Sequence, residues 1–169
     1  TKSGSYTVNL QLDHVAGIIA TYYGDAFMQT PKASRIHSTI DVNWGNSSPH
    51  SKVKEDFFSS RWSGFIQANT SSTYAFHLYA DDCASFRIDH YLLLDSCSEN
   101  LGVDCVDCIK YPGKYRRGHY TLLADISYSI EVLHVETTGR GLLRLLWSQG
   151  SNQPEPIDTS NLFVSAHLD

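Results

Sequence analysis

Asp81-Asp82 is the residue pair with the clearest chemical potential in this chain. It ends an alternating run in which Tyr74, Phe76, Leu78 and Ala80 share one face and His77 and Tyr79 the other, the period of a β-strand. A second run, with Phe86 and Ile88 in step, starts at once. On a regular strand, adjacent side chains point to opposite faces, and carboxylates that converge repel each other. The pair therefore either diverges into solvent as an ordinary turn or is held together by a cation. A hard divalent ion with oxygen ligands, calcium above all, suits paired carboxylates best.

The cysteines speak to the compartment. Cys83, Cys97, Cys105 and Cys108 form an even, clustered set, and Asn46-Ser47-Ser48 and Asn69-Thr70-Ser71 are N-glycosylation sequons. Together they favour an oxidising, extracellular or cell-surface setting with two intramolecular disulfides. The competing reading is a four-thiolate zinc site, since Cys105-x-x-Cys108 is half of one, but the wide gap between Cys83 and Cys97 does not supply the other half. A thioredoxin-type redox motif lacks the helix that should follow Cys108. Four cysteines allow three pairings. A hairpin turning about His90 sets Cys83 opposite Cys97, within bridging distance for cross-strand neighbours, and leaves Cys105 with Cys108. A register slip or a loop excursion favours another pairing.

The elements that position these residues read as strands. A first strand is possible at Tyr6, Val8 and Leu10, and Gly17 to Gly24 reads as a strand closed by glycine. Residues 25–38 look irregular. Ile40 to Gly45 begins with alternation and enters a loop, and Phe57 to Gln67 reads as the next strand. Ser85–Asp89 and Tyr91–Asp95 form a hairpin about Asp89-His90. Residues 96–118 read as a loop ending in a basic cluster, Lys114, Arg116 and Arg117, whose default is solvated charge. Ile126, Tyr128, Ile130 and Val132 give the longest alternation, and Leu143, Leu145 and Trp147 alternate on the strand after it. Helical periodicity is nearly absent. Many short strands with turns between them predict an all-β, antiparallel β-sandwich or barrel.

Size and charge narrow the function. A chain of 169 residues is one domain with room for a substantial core. Its net charge of −5 is wrong for a nucleic-acid groove. No apolar run approaches the roughly 20 residues that span a bilayer, so no membrane insertion is expected. No signal peptide is evident, as for a mature or excised piece of a larger protein. The eight histidines show no metal-ligand spacing, and there is no nucleophile elbow or phosphate loop. Arg61 and Trp62 would suit a cation–π pair, but a structural role is preferred. His134, Trp44 and Trp147 read as core.

In order and spacing, the motifs resemble the protective-antigen fourteen-kilodalton domain of toxins, glycosidases, flocculins and adhesins. The matching segments are Gly17 to Tyr23, Ile40 to Gly45, Phe58 to Phe65 with Arg61-Trp62-Ser63-Gly64, Ser72 to Ile88 with Asp81-Asp82, and Ile130 to Trp147. Residues 1–14 would be an N-terminal extension or first strand and 15–169 the lectin-like domain, a β-sandwich with little helix. The resemblance implies that Asp81 and Asp82 are joined by a cis peptide and ligate one calcium, with sugar hydroxyls completing a shell of 6–8 oxygens. It makes Glu136 to Gly141 a second calcium loop: the Glu136 side chain and the carbonyls of Thr138 and Arg140 as ligands. Asp81, Asp82, Thr137, Thr138, Gly139 and Arg140 would then contact the carbohydrate.

This sequence departs from the family at Glu136, where flocculins have Asn, and at Arg140, where they have an aromatic. It also departs at Cys83 and His90, where glycine is usual. Taken without the family, the loop is an ordinary hairpin tip. The expected function is a non-catalytic, calcium-dependent carbohydrate-binding module, monomeric, that engages glycans on a cell surface or matrix. The alternatives are an accessory domain of a glycan-acting enzyme, or a structural protein–protein interaction domain.

Overall fold

The alternating runs form strands, and their period-two burial builds the core. The computed structural model describes residues 14–97 and 114–165. The strands are β1 (His14–Ala16), β2 (Ile18–Tyr23), β3 (Pro31–His37), β4 (Asp41–Gly45), β5 (Phe58–Gln67), β6 (Ser72–Asp81) and β7 (Cys83–Ile88). They continue as β8 (Tyr91–Asp95), β9 (Lys114–Leu122), β10 (Ser127–Glu136), β11 (Gly141–Gln149), β12 (Glu155–Pro156) and β13 (Leu162–Ser165). Among the described residues the single helical turn is a 3₁₀ segment, Thr159–Asn161. No helix there is long and apolar enough to cross a membrane.

Two antiparallel sheets pack face to face. The larger runs β1-β13-β5-β10-β7-β8, with β2 and β3 joined at β5, and the smaller runs β12-β11-β6-β9, with β4 on β11. Inward residues of both sheets interleave: Trp62 and Ile66 from β5, Phe76 and Leu78 from β6, Phe86 and Ile88 from β7, Val132 from β10, Leu143 and Leu145 from β11, all nearly inaccessible. This is the expected all-β antiparallel sandwich.

Two connections position the site. β6 lies in the smaller sheet and β7 in the larger, so the chain changes sheet at Asp81-Asp82, across a cis peptide bond. β10 lies in the larger sheet and β11 in the smaller, so Glu136 to Gly141 changes sheet in the other direction. The expectation of a hairpin tip at 136–141 is therefore corrected: β10 pairs with β5 and β7, and β11 with β6, β4 and β12. Because β7 pairs with β10 and β6 with β11, the two crossovers lie side by side at one end of the sandwich.

Three other expectations change. Residues 31–37, read as irregular, form edge strand β3, whose polar sequence PKASRIH carries no alternation because it pairs with β2 alone. The basic cluster read as loop lies on β9, where Arg116 donates to the Asp95 carbonyl at 2.9 Å. Ile126 precedes β10 and is exposed.

The Cys83–Cys97 bridge is present, with the Cα atoms 4.9 Å apart. Ile88 faces Tyr91 and Arg87 faces Leu92, but a register shift follows, so Ser85 faces Asp95. The extra β8 residue centres the ladder on His90 and brings Cys97, rather than Ser96, to Cys83. Asp89 and His90 both have positive φ, +44° and +65°, the backbone of a tight two-residue hairpin turn. Cys105, Cys108 and the possible strand at Tyr6 to Leu10 lie outside the described residues.

Candidate functional site at the sheet-crossing corner

The ladder of β10 explains how a carboxylate comes to be buried. Tyr128, Ile130, Val132, His134 and Glu136 all fall on its inward register. Glu136 is the last of them and is fully buried. Neither of its carboxylate oxygens has a hydrogen-bond partner. Buried polar groups are nearly always paired, so this carboxylate is anomalous. Burial first, then the charges of Asp82, Asp81 and Asp56, push its pKa up to about 7.

The Asp pair stands across from it. Burial and the Asp82 charge raise Asp81 above the usual carboxylate range, while the Arg140 guanidinium opposes them. Asp82 is tied to the second loop: its Oδ2 accepts from the Thr137 amide at 2.7 Å and from the Thr137 hydroxyl. The Asp82 amide donates to the Val135 carbonyl at 3.2 Å. Asp81, Asp82, Glu136 and Thr137 are thus brought together as the sequence predicts. Thr138, Gly139 and Arg140 lie exposed on the same loop.

Beneath the corner runs a hydrogen-bonded chain. The Trp62 indole donates to Ser60 Oγ at 3.0 Å, Ser60 Oγ lies 3.4 Å from His134 Nδ1, and His134 Nε2 lies 2.8 Å from the Asp81 carbonyl. A carbonyl only accepts, so Nε2 carries the proton and Nδ1 accepts from the serine. Burial holds the His134 pKa down to about 4, so the ring is neutral. As the sequence suggests, His134 is a satisfied core histidine, and it anchors the Asp81 main chain.

Asp56 was not foreseen. Phe58 pairs with Glu136, which places the segment before β5 against the second loop. There Asp56 Oδ1 accepts from the Gly139 amide at 3.1 Å, and the Phe57 amide donates to the Thr137 carbonyl at 3.0 Å. No motif marks Asp56; it is legible only from the β5–β10 register. Gly141 has its own reason: a Cβ there would sit 3.1 Å from the Trp44 ring and 3.7 Å from Glu136 Oε2.

Among the described residues no three His, Cys, Asp or Glu side chains are placed to hold a metal ion by themselves. The corner offers the buried Glu136 carboxylate and the Asp81 and Asp82 carboxylates beside it. Arg61 and Trp62 point to opposite faces of β5, Arg61 outward and Trp62 into the core, so they form no cation–π pair. Asn46 and Asn69 are both exposed, and Asn69 Oδ1 accepts from Asn161 at 3.4 Å.

The anti-sigma-I factor RsgI3 of Acetivibrio thermocellus is 30% identical over 150 residues, covering 89% of this chain and 22% of that protein. An anti-sigma factor domain-containing protein from Clostridium clariflavum superposes with a TM-score of 0.76 at 26% identity, over 92% of this chain and 49% of that one. The chain thus spans about a fifth of the first relative and about half of the second. A PA14 sugar-binding domain from an RTX adhesin superposes with a TM-score of 0.66 at 17% identity, over 89% of this chain and 99% of that one, a likeness of fold alone. The PA14 domain family model matches residues 15–161, and the chain belongs to the PA14 domain family.

Proposed function

We propose that this domain is a calcium-dependent carbohydrate-binding module and that the sheet-crossing corner is its binding site. The observation that carries this reading is the Glu136 carboxylate, fully buried and without a hydrogen-bond partner, facing two further carboxylates. Such a group is costly unless a cation compensates it. Asp81, Asp82 and Glu136, joined by the carbonyls of Thr138 and Arg140, would supply an all-oxygen ligand set, the chemistry calcium prefers. Bound calcium would neutralise these carboxylates and offer open coordination positions to a sugar's vicinal hydroxyls.

The chain's own residues do the positioning. His134 holds the Asp81 main chain, Thr137 orients Asp82, and Asp56 holds the loop at Gly139. Arg140, exposed on that loop, would contact the saccharide together with Thr137, Thr138 and Gly139. The likeness in fold to the PA14 sugar-binding domain from an RTX adhesin supports a glycan partner. The Cys83–Cys97 bridge and two exposed sequons support an extracellular or cell-surface setting with glycosylation at Asn46 and Asn69. The module would be non-catalytic and monomeric within a larger protein.

A glycan array with the purified domain, in millimolar calcium and in chelator, tests this. Binding in calcium alone is expected, and Asp81→Ala and Asp82→Ala should each abolish it without altering the β-sheet circular dichroism. Binding that survives chelation, or persists in both variants, would remove the corner from the function.

A further inference from the structure

The outer face of the larger sheet carries a second concave site. Along one cross-strand row, Ile19 faces Ser63, Ser63 faces Glu131, and Glu131 faces Arg87. All four point away from the core, as Arg61 does one step further along β5. They line a cavity of about 510 Å³ that His90 and Phe65 also border. That volume lies within the roughly 300–1,000 Å³ of small-molecule sites and exceeds what a lone ion needs.

The floor is low because the outward-facing Ser63 and Ser129 are small. Gly64 cannot be larger: a Cβ there would meet the Phe163 carbonyl oxygen at 2.8 Å and Ile18 Cδ1 at 2.7 Å. On one side stands an apolar wall, where Phe65 stacks on Phe163 with centroids 5.5 Å apart and planes 13° from parallel. On the other side stand the charges. Arg61 pairs with Glu131 at 2.6 Å, with the two side chains 52% and 25% exposed. Arg87 makes one long contact, 3.5 Å, to the His90 carbonyl. Asp89, next to His90, is engaged by the Ser129 amide at 2.9 Å and does not line the cavity.

We infer that this groove is a second, calcium-independent binding site for an acidic saccharide carrying one singly charged group per ring. Two guanidiniums against the Glu131 carboxylate leave a lining charge of about +1, which one carboxylate or sulfate ester matches. Arginine's planar fork binds such oxyanions bidentately. The Ser63 hydroxyl can pair with a ring hydroxyl, Ser129 Oγ, which donates to Asp89 Oδ1 at 3.3 Å, can accept from another, and the Phe65 side offers an apolar wall to a sugar's C–H face. The site lies on the opposite face of β10 from Glu136. Glu131 is five residues back along the strand, on the order of 17 Å, so the two sites are separate. Arg61, expected to be structural, here becomes a ligand contact.

Amide chemical-shift mapping with three matched probes tests the inference: methyl β-glucoside, methyl β-glucuronide and methyl β-glucoside 6-sulfate, which differ at C6 alone. In chelator and low salt, the two anions should shift Ser63, Gly64, Arg87 and Glu131, and the neutral glucoside should not. A response to one anion alone identifies whether carboxylate or sulfate is the natural group. Arg87→Gln should weaken anion binding at least tenfold. Glu131→Gln, which raises the lining charge, should tighten it several-fold, a gain that a merely structural ion pair would not produce. Equal binding of the neutral probe, no shift at tens of millimolar anion, or shifts that need calcium would each overturn the inference. Because the groove is read in chelator and the corner in calcium, either site can fail alone.

Discussion

Replacing Glu136 by Gln should stabilise the domain in chelator, and calcium should erase that advantage. In chelator at pH 8 the wild-type carboxylate, with its pKa pushed to about 7, is mostly ionised inside the protein. A raised folded pKa contributes stability that is fully present below the unfolded value of 4.5 and is lost as pH rises through about 7. By pH 8 the cost approaches a ceiling of about 3 kcal/mol, at about 1.4 kcal/mol per pKa unit. Gln avoids it, and its amide can donate to the facing aspartates, so the variant should melt several degrees higher than wild type. In calcium this gap should close. With a Kd on the order of 0.1 mM, usual for extracellular modules, 10 mM calcium adds about 2.7 kcal/mol to wild-type stability. At about 2–4 °C per kcal/mol for a chain of this size, that is a rise of roughly 5–11 °C. Glu136→Gln should lose most of this rise. Thermal scans by circular dichroism of both proteins, with and without chelator at pH 8, read all four values. An equal calcium increment in both proteins would show that Glu136 does not face the ion. A lower Tm for the variant in both conditions would show that its carboxylate is satisfied in a way the geometry does not reveal.

Three further outcomes are expected. Removing the Cys83–Cys97 bridge with a double serine substitution frees a loop of sequence separation 14, worth about 3 kcal/mol, so the Tm should fall by roughly 6–12 °C; an unchanged Tm would mean the bridge does not form. His37 Nε2 accepts from the Tyr22 hydroxyl and from Arg35 Nε, each at 2.8 Å, and burial and the Arg35 charge hold its pKa down to about 4. A depressed folded pKa gives stability that is present above the unfolded value of 6.5 and lost as pH falls toward 4. Chemical denaturation from pH 7 to 4 should therefore show a smaller loss in His37→Gln than in wild type, and equal losses would refute the assignment. Gly64→Ala should cost about 1–3 kcal/mol by forcing β13 away from β5, read as a lower urea midpoint; a neutral effect would mean that the strand contact is looser than its 2.8 Å approach implies.

How much was legible in the sequence depended on what each feature encodes. Period-two alternation is local, so β5, β6, β7, β10 and β11 and their inward faces could be read directly. The sequence put His134 on the inward register but read Glu136 as a loop ligand, whereas the alternation of β10 runs on to bury Glu136 as well. The Cys83–Cys97 pairing came from symmetry about His90, and it holds because a register shift in β8 supplies the residue that an unbroken ladder would lack. Edge strand β3 was missed because a strand paired on one side and covered on neither face carries no alternation to read.

The tertiary structure decided what the sequence could not hold. Whether Glu136 to Gly141 was a hairpin tip or a change of sheet depends on which strands pair, and pairing is set by long-range burial rather than by the loop. Asp56 joined the corner because Phe58 registers with Glu136, a contact between residues nearly half the chain apart. Arg61 was separated from Trp62 by the pleat, which sends neighbours to opposite faces, and so left the core for the outer groove. Side-chain period is a property of adjacent residues. The meeting of two crossovers, and of Arg61, Arg87 and Glu131 on one face, is a property of strand order, which exists only once the sheets have formed.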